Sequence, residues 1–422
     1  MRKILLFSLF TAVTFHLKAQ TFAWTDIITG INSGTFGRPD CISILPLDNT
    51  TLIGGTSSGI YKSTNNGQNW ALVSDQFFIC QEIFKTSAGK LVAAGQGLAT
   101  QAGKHIQISS DNGSSWSGIN LSGTTSAEVR DITADNAGNL YIPVYSNSQS
   151  ALIGVHKSTD GGNTWTQLNQ APLASGILYM DGIYTEDGNT ILVGSNKGLF
   201  KSTDAGTSFT MAAGIASGNY VYRIRKAPSG AILAATDDGI FASTDQGSSF
   251  TQVIPVSSFI FDFIIDGPFI IAGVYNTGIV KYNATTYAQE AIIGSTANGL
   301  SSSRIRAINT NPAGIYFAAS EGTSDDNGRK FHTTSSGGTN LETLPLSAFN
   351  IYPNPASDFL NINPINPFST ISITDISGKT LKLWENTTTN AILSVADLPA
   401  GIYTLKIENK GTVSVQKICV SH

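Results

Sequence analysis

STDGGNTW, Ser158–Trp165, is the stretch from which the fold can be read, because its pattern SxDxGxxW returns along the chain. The other strong copies are STNNGQNW (Ser63–Trp70), SSDNGSSW (Ser109–Trp116), STDAGTSF (Ser202–Phe209) and STDQGSSF (Ser243–Phe250). The chemistry of the motif is local. A short Asp side chain accepts from its own backbone across a turn, Gly supplies positive φ, and Ser adds a second side-chain bond. The residues expected to build these turns are Ser63, Asn65, Gly67 and Trp70; Ser109, Asp111, Gly113 and Trp116; Ser158, Asp160, Gly162 and Trp165; Ser202, Asp204, Gly206 and Phe209; and Ser243, Asp245, Gly247 and Phe250. Asn65 stands where the other copies have aspartate, and its amide oxygen can make the same turn bonds. Folding the last aromatic under the turn buries about 200 Å² of ring, at most roughly 5 kcal/mol per copy.

Outward from each copy the pattern extends to strands. GIYKS, GVHKS, GLFKS and GIFAS lead directly into the motif, and TLIGGT, KLVAAG, TILVGS and AILAAT precede them. Three strands before the turn and one after it make a four-stranded blade. The copies begin 46, 49, 44 and 41 residues apart, the period of a propeller blade. A sixth copy near Tyr282–Tyr287 is worn down, and a seventh, TTSSGGTN from Thr333 to Asn340, keeps Gly337 but lacks the acid and the aromatic. FAWTDII, Phe22–Ile28, reads as a strand that follows a turn it does not possess. It can close a ring by pairing the two ends of the chain and removing an exposed edge. The expected fold class is all-β: a seven-bladed β-propeller, six blades being the alternative, followed by a small Ig-like β-sandwich.

These repeats resemble the Asp-box (BNR repeat) propellers, a family that includes sialidases, xyloglucanases, sortilin-type receptors and photosystem II assembly-factor-like propellers. The resemblance covers about Thr21 to Thr343 and implies the fold far more specifically than any activity. After Leu344 the repeat stops. NIYPNPASDFLNI (Asn350–Ile362), ITDISGKTL (Ile373–Leu381), LPAGIYTLKIENKG (Leu398–Gly411) and VQKICV near the end pattern as a compact domain of about seven short strands. These segments resemble the type A sorting domain of Bacteroidetes type IX secretion cargo. That resemblance implies passage across the outer membrane, with the type IX machinery as partner, followed by removal of the domain or attachment to the cell surface.

The first residues read as a signal peptide: Arg2 and Lys3, an apolar run from Ile4 to Phe15, and a short polar end at Ala19. The expected organisation is residues 1–19 signal peptide, 20–345 propeller and 346–422 sorting domain. No later stretch is apolar enough to span a bilayer. Among 422 residues, 41% are hydrophobic, only 13% are charged and 42 are glycine, which suits many short strands and tight turns. A formal net charge of −4 without a basic run gives no footprint for nucleic acid. The three cysteines include no CxxC pair, which excludes a zinc ribbon or thioredoxin-like site. Cys41 and Cys80 each precede a strand-opening leucine, Leu52 and Leu91, by eleven residues, and the same count from Leu140, Ile232 and Tyr316 reaches Val129, Val221 and Ile305. Either the two cysteines fill an apolar packing position or they form a disulfide, for which their Cα atoms must approach within about 7 Å.

No metal ligand set, no cofactor motif and no catalytic set stands out. The histidines are scattered, and GTSSG at Gly55–Gly59 joins two strands rather than a strand and a helix. Six of the eight arginines, Arg38, Arg130, Arg223, Arg225, Arg304 and Arg306, fall at or near the start of a blade's innermost strand, where a propeller places the mouth of its channel. Converging guanidinium groups would bind carboxylate, sulfate or phosphate. Alternatively they pair with Asp131, Glu82 and Asp40 and hold blades together. The sialidase comparison fails at two points: there is no FRIP-like segment, GRPD at Gly37–Asp40 being nearest, and no assignable tyrosine and glutamate pair. A xyloglucanase would need a second propeller and opposed carboxylates. The expected function is therefore binding of glycan, another surface polymer or a partner protein after export. A glycoside hydrolase or sialidase-like enzyme acting on acidic sugars is the alternative.

Overall fold

The alternation of apolar residues before each SxDxGxxW turn puts a strand on both sides of it, and the computed structural model organises those strands into repeating antiparallel units. It describes residues 23–31, 40–75, 77–97, 104–121, 127–146, 153–168, 177, 179–320, 330–335, 350–363, 369–375, 380–386, 391–409 and 412–421. The proposed signal peptide and Arg38 lie outside the described residues. In the first unit Cys41–Pro46, Leu52–Thr56, Gly59–Ser63 and Ala71–Ser74 pair in chain order. GTSSG is the hairpin turn between its second and third strands. The innermost strands of the successive units are Cys41–Pro46, Phe77–Lys85, Ala127–Val129, Met180–Thr185, Val221–Lys226, Ile260–Asp266 and Ile305–Thr310. Each packs beside the next except around the third unit, where Ala127–Val129 meets the second strand of the preceding unit, Leu91–Gly97, and the neighbour of Met180–Thr185 is Leu140–Ser146 with the short Thr133–Ala134. The last, Ile305–Thr310, packs beside the first. The second and third units are also joined by the bridge Glu128↔Gln96. This is a β-propeller.

Ring closure follows the sequence expectation. Ala23–Asp26 pairs antiparallel with Lys330–Ser335, from Ala23↔Ser335 to Asp26↔His332, and completes the sheet that begins with Ile305–Thr310. Trp24 is buried and its indole N–H donates to the Ile293 carbonyl at 2.7 Å. A core of Ile27, Cys41, Leu52, Trp70, Phe317 and Phe331 then spans the first and last units, with the Trp70 and Phe331 rings 5.1 Å apart.

The turns carry the bonds their residue types require. Ser243 Oγ donates to Asp245 Oδ1 (2.7 Å) and accepts from the Gly247 N–H (2.8 Å). Asp245 also accepts from the Ser249 N–H (2.9 Å) and hydroxyl (2.6 Å). The same set recurs at Ser109, Ser158 and Ser202. Asn65 keeps the backbone bond to Asn69 (2.9 Å), as an amide oxygen can. Gly113, at φ +77°, shows why the glycine is needed twice over: a Cβ there would lie 2.5 Å from Ile53 Cδ1 of the preceding unit. The aromatics differ from the simple expectation. Trp70 and Phe250 are buried, whereas Trp116, Trp165 and Phe209 remain partly buried, so burial approaches its ceiling in two copies. In the worn copy Asn283 Oδ1 accepts from the Thr285 and Thr286 N–H groups, both at 2.9 Å.

Cys41 and Cys80 are buried and not joined in a disulfide, so the apolar packing position is the one they fill. Burial pushes the Cys80 thiol well above its ordinary range.

The chain divides into compact units at Gly337/Gly338, eight residues before the expected boundary at 345/346. The second unit has two sheets. Asn350–Tyr352, Phe359–Asn363 and Ala391–Ser394 form one; Thr380–Asn386, Ser369–Thr374, Gly401–Asn409 and Thr412–Val420 form the other. Leu360, Ile362, Ile371, Ile373, Leu393, Leu405 and Ile418 fill one core contributed by both.

Candidate functional site

One position of each innermost strand, eleven residues before the second strand except for nine before Phe269–Val274, organises the centre of the propeller. Cys41, Cys80, Val129, Met180, Val221, Ile260 and Ile305 occupy it, all fully buried. Immediately after it the innermost strand gains one residue relative to its partner. The register slips between Cys41 and Ser43, Cys80 and Glu82, Val221 and Arg223, and Ile305 and Ala307. It slips likewise between Met180 and Ile183 and between Ile260 and Phe263. In the third unit the strand breaks between Val129 and Thr133, again with one residue to spare. A bulge leaves its extra residue unpaired and re-aims the side chain. The extra residues are Ile42, Gln81, Arg130, Asp181, Tyr222, Phe261 and Arg306, and all of them line one open cavity of about 380 Å³. Ile79, Glu128, Tyr179, Tyr220 and Arg223 complete the lining.

One residue further on lies the hub of the ring. Arg223 Nη2, Nη1 and Nε face Glu82 (2.9 Å), Asp131 (2.7 Å) and Asp262 (3.0 Å), carboxylates from three other units. The remaining oxygens of Asp131 and Asp262 accept from the Ile183 and Ile308 N–H groups, both at 3.0 Å. Burial pushes the Glu82 carboxyl up to about 7; Arg223 opposes that rise, and Asp131 and Asp262 add to it. Gly182 stands at the same place in its strand, where a side chain would press on Arg223 Cα at 3.3 Å.

Arg130 donates through Nε to Glu128 (2.8 Å) and through Nη1 to Asp181 Oδ1 (2.9 Å). Glu128 is further held by Gln81 (2.7 Å) and the Tyr145 hydroxyl (2.6 Å). Asp181 is 5% exposed, and its Oδ2 has no hydrogen-bond partner among the described residues. Burial raises its pKa against the pull of Arg130.

Around this cavity runs a continuous aromatic arc. Successive ring centroids are 5.0 Å apart from Tyr145 to Tyr179, 6.2 Å to Tyr220, 5.8 Å to Tyr222 and 4.9 Å to Phe261. Phe259 and Tyr275, 4.0 Å apart, extend it. Guanidinium groups sit on its ends, Arg130 over Tyr179 at 4.9 Å, Arg306 over Phe261 at 4.0 Å and Arg304 over Tyr275 at 5.0 Å.

Of the six arginines singled out from sequence, then, Arg130, Arg223 and Arg306 line one cavity and Arg304 caps the arc beside it. Arg225 lies 3.9 Å from Asp131 and donates to the Ile224 carbonyl, outside the lining. Of the partners expected for them, Glu82 and Asp131 both meet Arg223. The aromatics, Glu128, Asp181 and Asp262 were not anticipated. Shifting the count that located Cys41 and Cys80 by one residue reaches Ile42, Gln81, Arg130, Tyr222 and Arg306 of the lining.

The family described as "Photosynthesis system II assembly factor YCF48", of BNR type, matches residues 11–241, more than half of the chain. A secretion system C-terminal sorting domain matches residues 350–421. No curated protein matches. The extracellular domain of a one component system from B. thetaiotaomicron is similar at 14% identity and TM-score 0.54, over 95% of this chain and 59% of that one. An ancestral GH74 enzyme is similar at 14% identity and TM-score 0.50, over 94% of this chain and 63% of that one. The WD40 propeller of Doa1 is similar at 12% identity and TM-score 0.52, over 73% of this chain and 96% of that one. The chain spans about three fifths of the length of the first two. At these identities the similarity establishes the fold alone.

Proposed function

This chain belongs to the BNR family described as photosynthesis system II assembly factor YCF48, and from that premise we propose that it is an exported propeller that binds glycan at the mouth of its channel. Its sorting domain marks a type IX secreted or cell-surface protein. We read the ring as seven blades with the signal peptide ending at Ala19, and the second unit as an Ig-like sandwich. The Tyr403 hydroxyl bonded to the Pro399 carbonyl (2.6 Å) supports that last point, since such a corner is a feature of Ig-type sandwiches.

The observation that carries the binding reading is the aromatic arc bordering an open, polar cavity. Flat apolar faces next to fixed hydrogen-bonding groups are what a sugar ring needs, one face for its C–H groups and an edge for its hydroxyls. Titrating the secreted chain with soluble polysaccharides by calorimetry, with Tyr222→Ala as comparison, tests it. Saturable binding lost in the variant is expected, and enzymatic turnover of the bound polymer would refute a purely binding role.

The second reading, a hydrolase for acidic sugars, rests on Arg304 and Arg306 beside the cavity. Substituting Arg304 and following hydrolysis of sialyl and uronic-acid substrates decides it, and absence of turnover in the parent ends it.

A further inference from the structure

The charges at the mouth answer one another before any ligand arrives. Arg130, Arg223, Arg225 and Arg306 share the centre of the ring with Glu82, Glu128, Asp131, Asp181 and Asp262. Arg223 turns each of its three nitrogens to a different carboxylate, and Arg130 spends two of its own on Glu128 and Asp181. At Arg130 and Arg223 an anionic sugar would have to displace a carboxylate already in hydrogen-bonding geometry, and with five carboxylates facing these four guanidinium groups it would meet no net positive field.

A different group is left over. Asp181 stands at the bulge, lines the cavity, is 5% exposed and has a buried Oδ2 without a partner among the described residues. Its Oδ1 is fixed by Arg130 at 2.9 Å, so the orientation of Oδ2 is set in advance. A buried acceptor of this kind is costly until a donor reaches it. Tyr179, Tyr220 and Tyr222 flank it in the same lining, and the last two rings lie nearly parallel, 16° apart in plane. A carboxylate oxygen accepts from a hydroxyl, and tyrosine faces receive the C–H face of a pyranose.

We propose that the mouth selects an uncharged polysaccharide over an acidic one, with Asp181 Oδ2 accepting a sugar hydroxyl and Tyr220 and Tyr222 stacking on the ring. The cavity, about 380 Å³, falls within the size of ordinary small-ligand sites. The inference rests on the glycan reading above and narrows it to a substrate class.

The test is calorimetry of the full chain against dextran, mannan, laminarin and xyloglucan as uncharged probes and polygalacturonate and hyaluronan as acidic ones. At least one uncharged probe should bind at least about tenfold more tightly than either acidic one. Its affinity should be unchanged between low and high salt, because no counterions are released. Asp181→Asn, which retains a group for Arg130 but replaces the acceptor by a donor, should weaken binding about tenfold or more, and Tyr220→Ala similarly, with Tyr220→Trp restoring it. Equal or tighter binding of an acidic probe, or strong salt dependence, overturns the selectivity while leaving the glycan reading standing. Unchanged affinity in Asp181→Asn removes the role of Asp181. Should Asp181→Asn not fold, the Tyr220 pair and the salt series still decide the matter. Binding of none of the probes overturns the glycan reading and this inference together.

Discussion

Replacing Arg223 by methionine keeps most of the side-chain volume and removes the one positive charge on which Glu82, Asp131 and Asp262 converge at 2.7–3.0 Å. The side chain is only 9% exposed, so solvent screens little of the loss. Breaking a buried ion network from one side leaves uncompensated charge and costs about 3–5 kcal/mol. For a unit of this size that corresponds to a fall in Tm of roughly 6–10 °C. The pH dependence is the sharper signature. Glu82 already sits near 7, above its ordinary value of 4.5, because burial outweighs the pull of Arg223. A carboxyl raised on folding favours the folded state fully below its unfolded value, and that advantage is lost as pH rises through the folded value. Without Arg223 the folded value rises further, so the variant takes up protons more readily than the parent. The difference in stability between parent and variant should therefore stay nearly constant from pH 5 to about 7 and widen as pH rises above about 7, where the parent's Glu82 has lost its proton and the variant's has not. Urea unfolding of both chains at several pH values measures it. A difference below about 1 kcal/mol, or one that stays flat across the range, would refute the view of Arg223 as the hub of the ring.

Asp26→Asn should loosen the closing strand, because Asp26 pairs with Lys330 and His332, both at 2.9 Å. Burial raises its pKa but those partners outweigh it and hold the carboxyl at about 2, so the contribution is present above the ordinary value of 3.8 and lost as pH falls toward 2; acid unfolding of parent and variant should converge there. Gly299→Ala places a Cβ 2.1 Å from the Trp24 carbonyl at φ +102°, and should destabilise closure by about 1–3 kcal/mol, read as faster proteolysis within the N-terminal strand. Asp111→Asn should leave its turn nearly intact, as Asn65 does naturally, whereas Asp111→Ala should speed hydrogen exchange at the Ser114 and Ser115 amides.

The repeating units were legible because each turn is a local event. Ser243, Asp245 and Gly247 satisfy one another within a few residues, and no distant partner is needed to recognise them. The closing strand was legible for a related reason, since FAWTDII had the pattern of an outer strand without its turn. The hub was half legible. Glu82 and Asp131 were expected partners of the arginines and both meet Arg223, but Asp262 comes from the adjacent unit, where nothing in the run IFDFIID distinguishes a hub residue from a strand end. The aromatic arc was not read at all. Tyr145, Tyr179, the Tyr220 and Tyr222 pair and Phe261 belong to four successive units and meet only once those units pack side by side.

The bulge explains why the motif speaks so clearly of fold and so little of ligand. The turn residues and the buried position of Cys41, Val129 or Ile305 are bound by hydrogen bonds or packing, so substitution there is felt by the whole unit. The residue that follows is surplus to the ladder. Ile42, Gln81, Arg130, Asp181, Tyr222, Phe261 and Arg306 share a place in the repeat yet include apolar, amide, basic, acidic and aromatic side chains. A position without ladder hydrogen bonds can change its side chain with little cost to the sheet. On the proposed function, its composition follows the ligand more than the architecture, the Arg130–Asp181 pair aside. Two propellers with the same turns can differ completely in what they bind, and comparing them position by position along this bulge, rather than along the turns, is the comparison that should track specificity.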